Sequence, residues 1–330
     1  MRTEHPTYLP RRALCFTAVL IAAIAASAAA AAANTSPTAP VAPPFALNTT
    51  CTDAGVLGSA TAPRLVRTTR SRHLRSWTYG WPVKPFDRQH PVRGFLNDPR
   101  STFHFGIDIA VPDGTAVYSV TPGTVAIISS EVVEVLGRGS SLFAYWHVVP
   151  AVRHGQHVDR HQLIAHVGRG WGHVHFAERQ GTTLVNPLRN GGLGPYTDRT
   201  APTVDEIGFD SQGLVVAAHD TPDPRVPGAW ADEPVTPGLL EWRVIPASGN
   251  ATTWRTAFDF RSSQLPDSRY REIYTRRTRG NHKGEPGQYC FYLQRPARTG
   301  FSATVEVKVS DSAGNTATYA AVLADFPTRL

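Results

Sequence analysis

Apolar and polar residues alternate with a period of two along most of this chain, and no segment keeps a long amphipathic helical period. The pattern is clearest in Phe103-His104-Phe105-Gly106-Ile107-Asp108-Ile109. Successive side chains of a strand point to opposite faces. The stretch therefore predicts a core-directed face of Phe103, Phe105, Ile107 and Ile109, and an opposite face presenting His104, Gly106 and Asp108. An imidazole and a carboxylate on one rigid face are a good start to a metal site. A side chain at Gly106 is expected to project between these two ligands towards the metal.

Downstream, Pro112-Asp113-Gly114 and Thr121-Pro122-Gly123 read as turns. Short strands are predicted at 116–120, 124–128, 132–135, 142–147, 163–165 and 173–176. His173-Val174-His175-Phe176 repeats the opening geometry, with both imidazoles facing one way and Val174 and Phe176 facing the core. Near 195–202 histidines become rare, and strand-like segments follow at 204–209, 214–218, 239–245, 253–260, 289–293, 304–309 and 316–323. Asp311-Ser312-Ala313-Gly314-Asn315 predicts a hairpin turn between the last two. The fold class expected is mainly β. An antiparallel β-sheet domain over 77–198 is followed by a β-sandwich of immunoglobulin-like type over 199–330.

The N-terminal region changes the picture. Arg2, Arg11 and Arg12 precede an apolar run from Ala13 to about Ala32, and Ala31 and Ala33 suit a cleavage site. Residues 1–33 are thus expected to be a secretory signal peptide, with an uncleaved membrane anchor as the other reading. Residues 34–76, rich in Ala, Pro, Thr and Ser and basic at the end, are expected to form a flexible linker. Loss of Cys15 with the leader leaves Cys51 and Cys290, which either form a bridge in an oxidising compartment or stand as two free thiols. The absence of any Cys-x-x-Cys spacing argues against cysteine ligation of a metal. The formal charge is +7, with much of the excess at Arg64, Arg67, Arg70, Arg72, Arg75 and in the cluster Arg271, Arg276, Arg277 and Arg279. On an exported protein such a surface suits anionic cell-wall polymers, and nucleic acid is not expected as a partner. The scattered charges read as simply solvated.

His104, Asp108 and one histidine of the 173/175 pair give two nitrogens, one oxygen and an open position, as in a catalytic zinc site. The same donors suit Fe(II), but the His-x-x-x-Asp spacing, the extra histidines and the leader argue against an oxygenase. The ordered motifs are "HFGIDI", "GTAVYSVTPGTV", "AYWH", "GQHV" followed by "QLIAHVG", and "GHVHF". Over roughly 77–190 they make the chain resemble the lysostaphin-type (LytM-like) zinc endopeptidases, which cut peptide cross-links of bacterial peptidoglycan. The resemblance implies that family's duplicated hybrid motif, one Zn2+ held by His104, Asp108 and His175, and catalytic roles for His147 and His173. It also implies attack of zinc-bound hydroxide on a peptide carbonyl. One catalytic histidine would take the proton and the other stabilise the oxyanion, with the assignment between them open.

The stretch Gly168-Arg169-Gly170-Trp171-Gly172 departs from the family's Ser-Thr-Gly-x-x-x-Gly-Pro loop, and the segment between Val125 and Tyr145 is short. Both bear on the substrate groove more than on the metal. Tyr145 is expected near the reacting carbonyl, and Trp146 and Trp171 either line the groove or pack in the core. His154, His157, His161 and His166 read as surface residues. The competing function is a non-catalytic envelope-binding or adhesion protein with a structural zinc site. The C-terminal half shows no chemistry of its own and would anchor the protein at the wall, bind polymer or act as a spacer.

Overall fold

Two groups of antiparallel sheets, each closed over its own apolar core, account for nearly all the regular structure. The computed structural model describes residues 50–53, 63–70, 76–230, 233–294 and 302–323. The expected signal peptide, and most of the expected linker, lie outside those residues. Among the described residues no helix is long and apolar enough to cross a membrane.

The first group is built on a sheet in the order Val92–Gly94, Ile107–Ala110, His173–Gln180, Ser141–Trp146, Val132–Leu136, Gly123–Ser129 and His157–Val158. Thr183–Val185 adds to His173–Gln180 at its far end. A second sheet pairs Leu163–Val167 with both Ala116–Tyr118 and Val148–Pro150. Ile107, Ile109, Val174 and Phe176 all reach the shared core, as their alternation requires. An antiparallel sheet can leave one face in water, yet His173 and His175, on the other face of their strand, are buried too. Something must cover them.

The second group has a five-stranded sheet, ordered Arg64–Thr69, Thr316–Leu323, Ala303–Ser310, Leu239–Pro246 and Arg255–Asp259. Its three-stranded companion is Thr203–Asp210, Gly213–His219 and Cys290–Gln294. All seven segments expected after residue 199 are strands. Val305, Val307 and Val309 enter the core shared by the two sheets. The alternate positions form cross-strand ion pairs, Glu306 with Arg243 and Lys308 with Glu241, both at 2.6–2.7 Å.

Two expectations need correction. Part of the supposed flexible linker is a strand, because Arg64–Thr69 pairs antiparallel with Thr316–Leu323. All six of its side chains are exposed, so the strand is held by backbone hydrogen bonds and leaves no hydrophobic period to read. The linker is also tied at Cys51, which forms a disulfide with Cys290 across a Cα–Cα distance of 5.5 Å. Closing a loop of 239 residues removes roughly 5 kcal/mol of chain entropy from the unfolded state in the entropic account.

The second correction concerns 103–109. Regular strand begins only at Ile107, and the apolar residues before it go elsewhere. Phe103 packs into the C-terminal core beside Phe260, Tyr270 and Tyr274. Phe105 is half-buried, with its ring 4.4 Å from that of His175.

Candidate active site

Asp108 and His175 are brought together by strand register, since they are direct partners in the pairing of Ile107–Ala110 with His173–Gln180. His104 arrives by a different route. It ends a loop that turns at Asn97, whose φ of 69° lies in the left-handed region that asparagine tolerates. The Asn97 N–H donates to the His104 carbonyl at 2.8 Å, and the His104 N–H donates to the Asp98 carbonyl at 2.9 Å.

This loop leans on the C-terminal sheets. Tyr274 Oη donates to the Asn97 carbonyl at 2.8 Å, and the Leu265 N–H donates to Asn97 Oδ1 at 3.0 Å. The Thr236 N–H reaches Asp98 Oδ1 at 3.0 Å, and Tyr270 Oη donates to the Arg100 carbonyl at 2.9 Å. The half of the chain that shows no chemistry in its sequence thus holds one wall of the site.

The donor atoms converge. His104 Nε2 lies 2.9 Å from His175 Nδ1 and 3.3 Å from Asp108 Oδ1, and His175 Nδ1 lies 3.0 Å from Asp108 Oδ1. Three ligands of a tetrahedral ion with bonds of ~2.1 Å stand ~3.4 Å apart, so this triangle fits such an ion. The tautomer fits as well. His104 Nδ1 is 2.8 Å from the Phe95 carbonyl, so it donates there and leaves Nε2 with its lone pair turned inward. His104, Asp108 and His175 together could hold a metal ion.

Gly106 is needed for a reason other than the one expected. A Cβ there would come within 2.4 Å of the Phe176 carbonyl oxygen and 2.8 Å of His175 Nε2. It would therefore strike the outer side of the His175 ring and the next strand, not project between the ligands.

The electrostatics suit ligand work. Burial pushes the Asp108 carboxyl up, but the neighbouring His104 and His173, with hydrogen bonds from His104 and His175, outweigh it and hold it well below the usual carboxylate range. Arg100 Nη2 adds an ion pair to Asp108 Oδ2 at 3.2 Å. Burial lowers His175 to about 4, and His173 is lowered by burial as well. Burial, then the nearby His173 and His175, bring His147 down to about 2. All three rings are neutral at neutral pH, with lone pairs available.

His173 and His147 stand beside the ligand triangle. His173 Nε2 is 3.5 Å from Asp108 Oδ1, and the His147 ring is 4.7 Å from that of His173. His147 follows the strand Ser141–Trp146 directly and has a φ of 66°, which swings its ring off the strand and against Trp171, with centroids 3.6 Å apart. Trp171 is carried by the Gly-rich loop, whose Gly170 and Gly172 N–H groups both donate to Asp113, at 2.6 and 2.8 Å. His173 Nδ1 is 2.7 Å from the Trp171 carbonyl and 2.6 Å from Arg93 Nη2. It donates to the first or accepts from the second, not both.

All five expected site residues are therefore brought together. Tyr145 is not among them, because its ring is fully buried and its Oη accepts the Val120 N–H at 2.9 Å. Trp146 touches the site, 6.4 Å from His175 between ring centroids. His154, His157 and His166 are exposed as expected, while His161 is half-buried and stacks on Phe86. Arg93, Arg100 and Asp113 also belong to the site, and the sequence does not mark them, since a lone arginine or a turn aspartate carries no spacing signal. Nor is Arg277 a free surface charge. It pairs with Asp53 and donates to the Thr50 and Thr52 carbonyls.

Residues 102–187 match the sequence family described as Peptidase family M23. That span contains all five site residues and supports a peptidase of generally metal-dependent kind. No curated protein matches the chain. Two solved structures of Helicobacter pylori Csd3 are similar to it, at 22% and 23% identity, with TM-scores of 0.28 and 0.29. Each similarity covers 38% of this chain, and it spans only 36% and 35% of the two Csd3 chains.

Proposed function

We propose that the chain is an exported zinc metalloendopeptidase that hydrolyses peptide bonds of bacterial cell-wall peptidoglycan. The observation that carries this reading is the convergence of His104 Nε2, Asp108 Oδ1 and His175 Nδ1 within 3.3 Å, with two neutral histidines beside them. Two nitrogens and one oxygen, with no fourth protein ligand in the cluster among the described residues, favour zinc in a catalytic role. When bound, the ion would supply Lewis acidity to a water molecule and to the scissile carbonyl.

The chain's own residues would do the rest. Arg100 pairs with the Asp108 carboxylate and orients it, and the Phe95 carbonyl fixes His104 in its ligating tautomer. His173 and His147, both neutral, share a proton-accepting role and a role in stabilising the oxyanion. Trp171, stacked on His147, fixes that ring and shields it from water. The leader sequence supports export. The two C-terminal sheets are read as an immunoglobulin-like sandwich, and the basic surface as suited to anionic wall polymers.

The test is digestion of purified peptidoglycan with product masses read out, with and without chelator, alongside metal analysis. His104→Ala and His175→Ala should lose metal and turnover together. His147→Ala and His173→Ala should keep most of the metal and lose turnover. Full hydrolysis by His175→Ala would sink the assignment.

A second reading, a non-catalytic envelope-binding protein that keeps its metal, is favoured by one observation. His104, Asp108, His173 and His175 are each no more than 6% exposed, which leaves little approach for a peptide. Wild-type protein that binds one zinc and turns over no wall peptide would decide for it.

A further inference from the structure

Three carboxylates meet outside the histidine cluster, with no histidine among them. Asp198 lies in the segment between the two groups of sheets, Asp220 follows the strand Gly213–His219, and Asp311 follows Ala303–Ser310 in the last hairpin turn. One carboxylate oxygen from each lies within 4.8 Å of those from the other two. The residues are 7%, 1% and 0% exposed, respectively. Burying one unpaired carboxylate is costly, and burying three together is more so.

The hydrogen bonds show which oxygens are already used. Asp311 Oδ1 accepts from the Gly314 and Asn315 N–H groups at 2.5 and 2.8 Å, and its Oδ2 accepts from Asn315 Nδ2 at 2.6 Å. Asp198 Oδ1 accepts from the Thr200 N–H and Oγ1, at 2.9 and 2.6 Å. These contacts hold two of the carboxylates in place. Asn315 Nδ2 also donates to the Asp198 carbonyl at 2.9 Å, tying the turn to the connecting segment.

Asp220 is different. Its backbone is fixed by paired hydrogen bonds with Val235, at 2.8 and 2.9 Å, yet among the described residues neither carboxylate oxygen has a partner, and Asp198 Oδ2 has none either. The Thr221 N–H favours the ionised form without reaching hydrogen-bond geometry. After burial, the groups that press hardest on Asp220 are Asp311 and Asp198, both of the same sign, so its carboxyl is pushed well above the ordinary range. An unpartnered, wholly buried carboxylate aimed at two others is short of one positive charge.

We propose that Asp198, Asp220 and Asp311 form a second metal site, for a hard divalent cation of the calcium type, that pins the connecting segment to the C-terminal sheets. The donors are all oxygen, which separates this site from the histidine-bearing one and suits calcium over zinc. One oxygen from each of the three lies close enough to the others for all three to bind one calcium ion with bonds of ~2.4 Å. Magnesium, with bonds of ~2.1 Å and near-ideal octahedral demands, is served less well by three carboxylates set by separate turns. The site is independent of the peptidase reading, because binding here needs no turnover to be seen.

The experiment uses the full chain, freed of metal by chelator and dialysis and then titrated with calcium chloride. Thermal melting should shift upward by roughly 5 °C at calcium well above its dissociation constant, and calorimetry should show one calcium bound. Asp220→Asn, and separately Asp198→Asn in case the first variant fails to fold, should abolish both responses while leaving zinc uptake intact. A wild-type chain that binds no calcium and does not shift would overturn the proposal. So would a folded Asp220→Asn variant with the wild-type response, and an equal response to magnesium would overturn the calcium assignment.

Discussion

Asp108 and His175 are directly opposed across two antiparallel strands, with Oδ1 and Nδ1 3.0 Å apart. Register alone sets this pair, because a slip of one residue would turn every side chain of the strand to the other face. His104 completes the triangle from a loop. The site is therefore as rigid as a sheet on one side and as dependent on its neighbours as a loop on the other.

The close approach at Gly106 gives the sharpest prediction. Gly106→Ala should force the His175 ring or the Phe176 carbonyl aside, since its Cβ would lie 2.8 and 2.4 Å from them. Metal affinity should fall at least ~10-fold while far-UV circular dichroism stays that of a β protein. Metal titration checks it, and wild-type affinity in a folded Gly106→Ala variant would mean that the His175 ring is free to shift without loss.

Arg100 is not a ligand, yet its pairing with Asp108 Oδ2 at 3.2 Å should matter to the ion. Arg100→Met removes the charge that orients the carboxylate and is expected to weaken metal binding ~10–100-fold, as loss of such outer partners commonly does. Competition with a chromophoric chelator measures this directly. Unchanged affinity would assign the orientation of Asp108 to the two histidines alone.

Much of this was legible in the sequence, and the failures have a common cause. Strands with one buried face announce themselves, which is why Val305, Val307 and Val309 and the whole C-terminal series were readable. His173 and His175 are readable because a two-residue repeat on a strand fixes their direction. The strand Arg64–Thr69 was not, because it buries no side chain. Phe103 departs from expectation because an apolar residue shows that it will be buried but not in which core, and here the chain crosses from one core to the other within four residues. Arg93, Arg100 and Asp113 act through distances that only the folded chain creates.

Asp113 holds the Gly168–Gly172 loop, and through it Trp171, against His147. The amides of Gly170 and Gly172 lower its pKa below the ordinary 3.8. A carboxyl with a depressed folded pKa contributes fully above its unfolded value and loses that contribution as pH falls through the folded one. The tether should therefore be constant from pH 5 to 8 and fail only in acid below about pH 4. Asp113→Ala is expected to lower turnover roughly 10–100-fold, with metal content intact and the shape of the pH profile over 5–8 unchanged. Rate against pH, with metal content in parallel, checks both. A changed profile in that range would show that Asp113 acts on a titrating group and not as a tether.

One dependence between the two halves of the chain runs through Tyr274. Its Oη donates to the Asn97 carbonyl at 2.8 Å and lies 3.2 Å from Thr236 Oγ1, and Asn97 in turn holds the His104 carbonyl. Tyr274→Phe keeps the ring that packs on Phe103, Phe260 and Phe291 and removes only the hydroxyl. The Asn97 carbonyl then loses its donor, at a cost of about 1–3 kcal/mol and a drop in melting temperature of several degrees. If the C-terminal sheets are a working wall of the site, metal affinity should fall in the same variant, although Tyr274 touches no ligand. A lower melting temperature with unchanged metal affinity would show that the loop keeps His104 in place without that support.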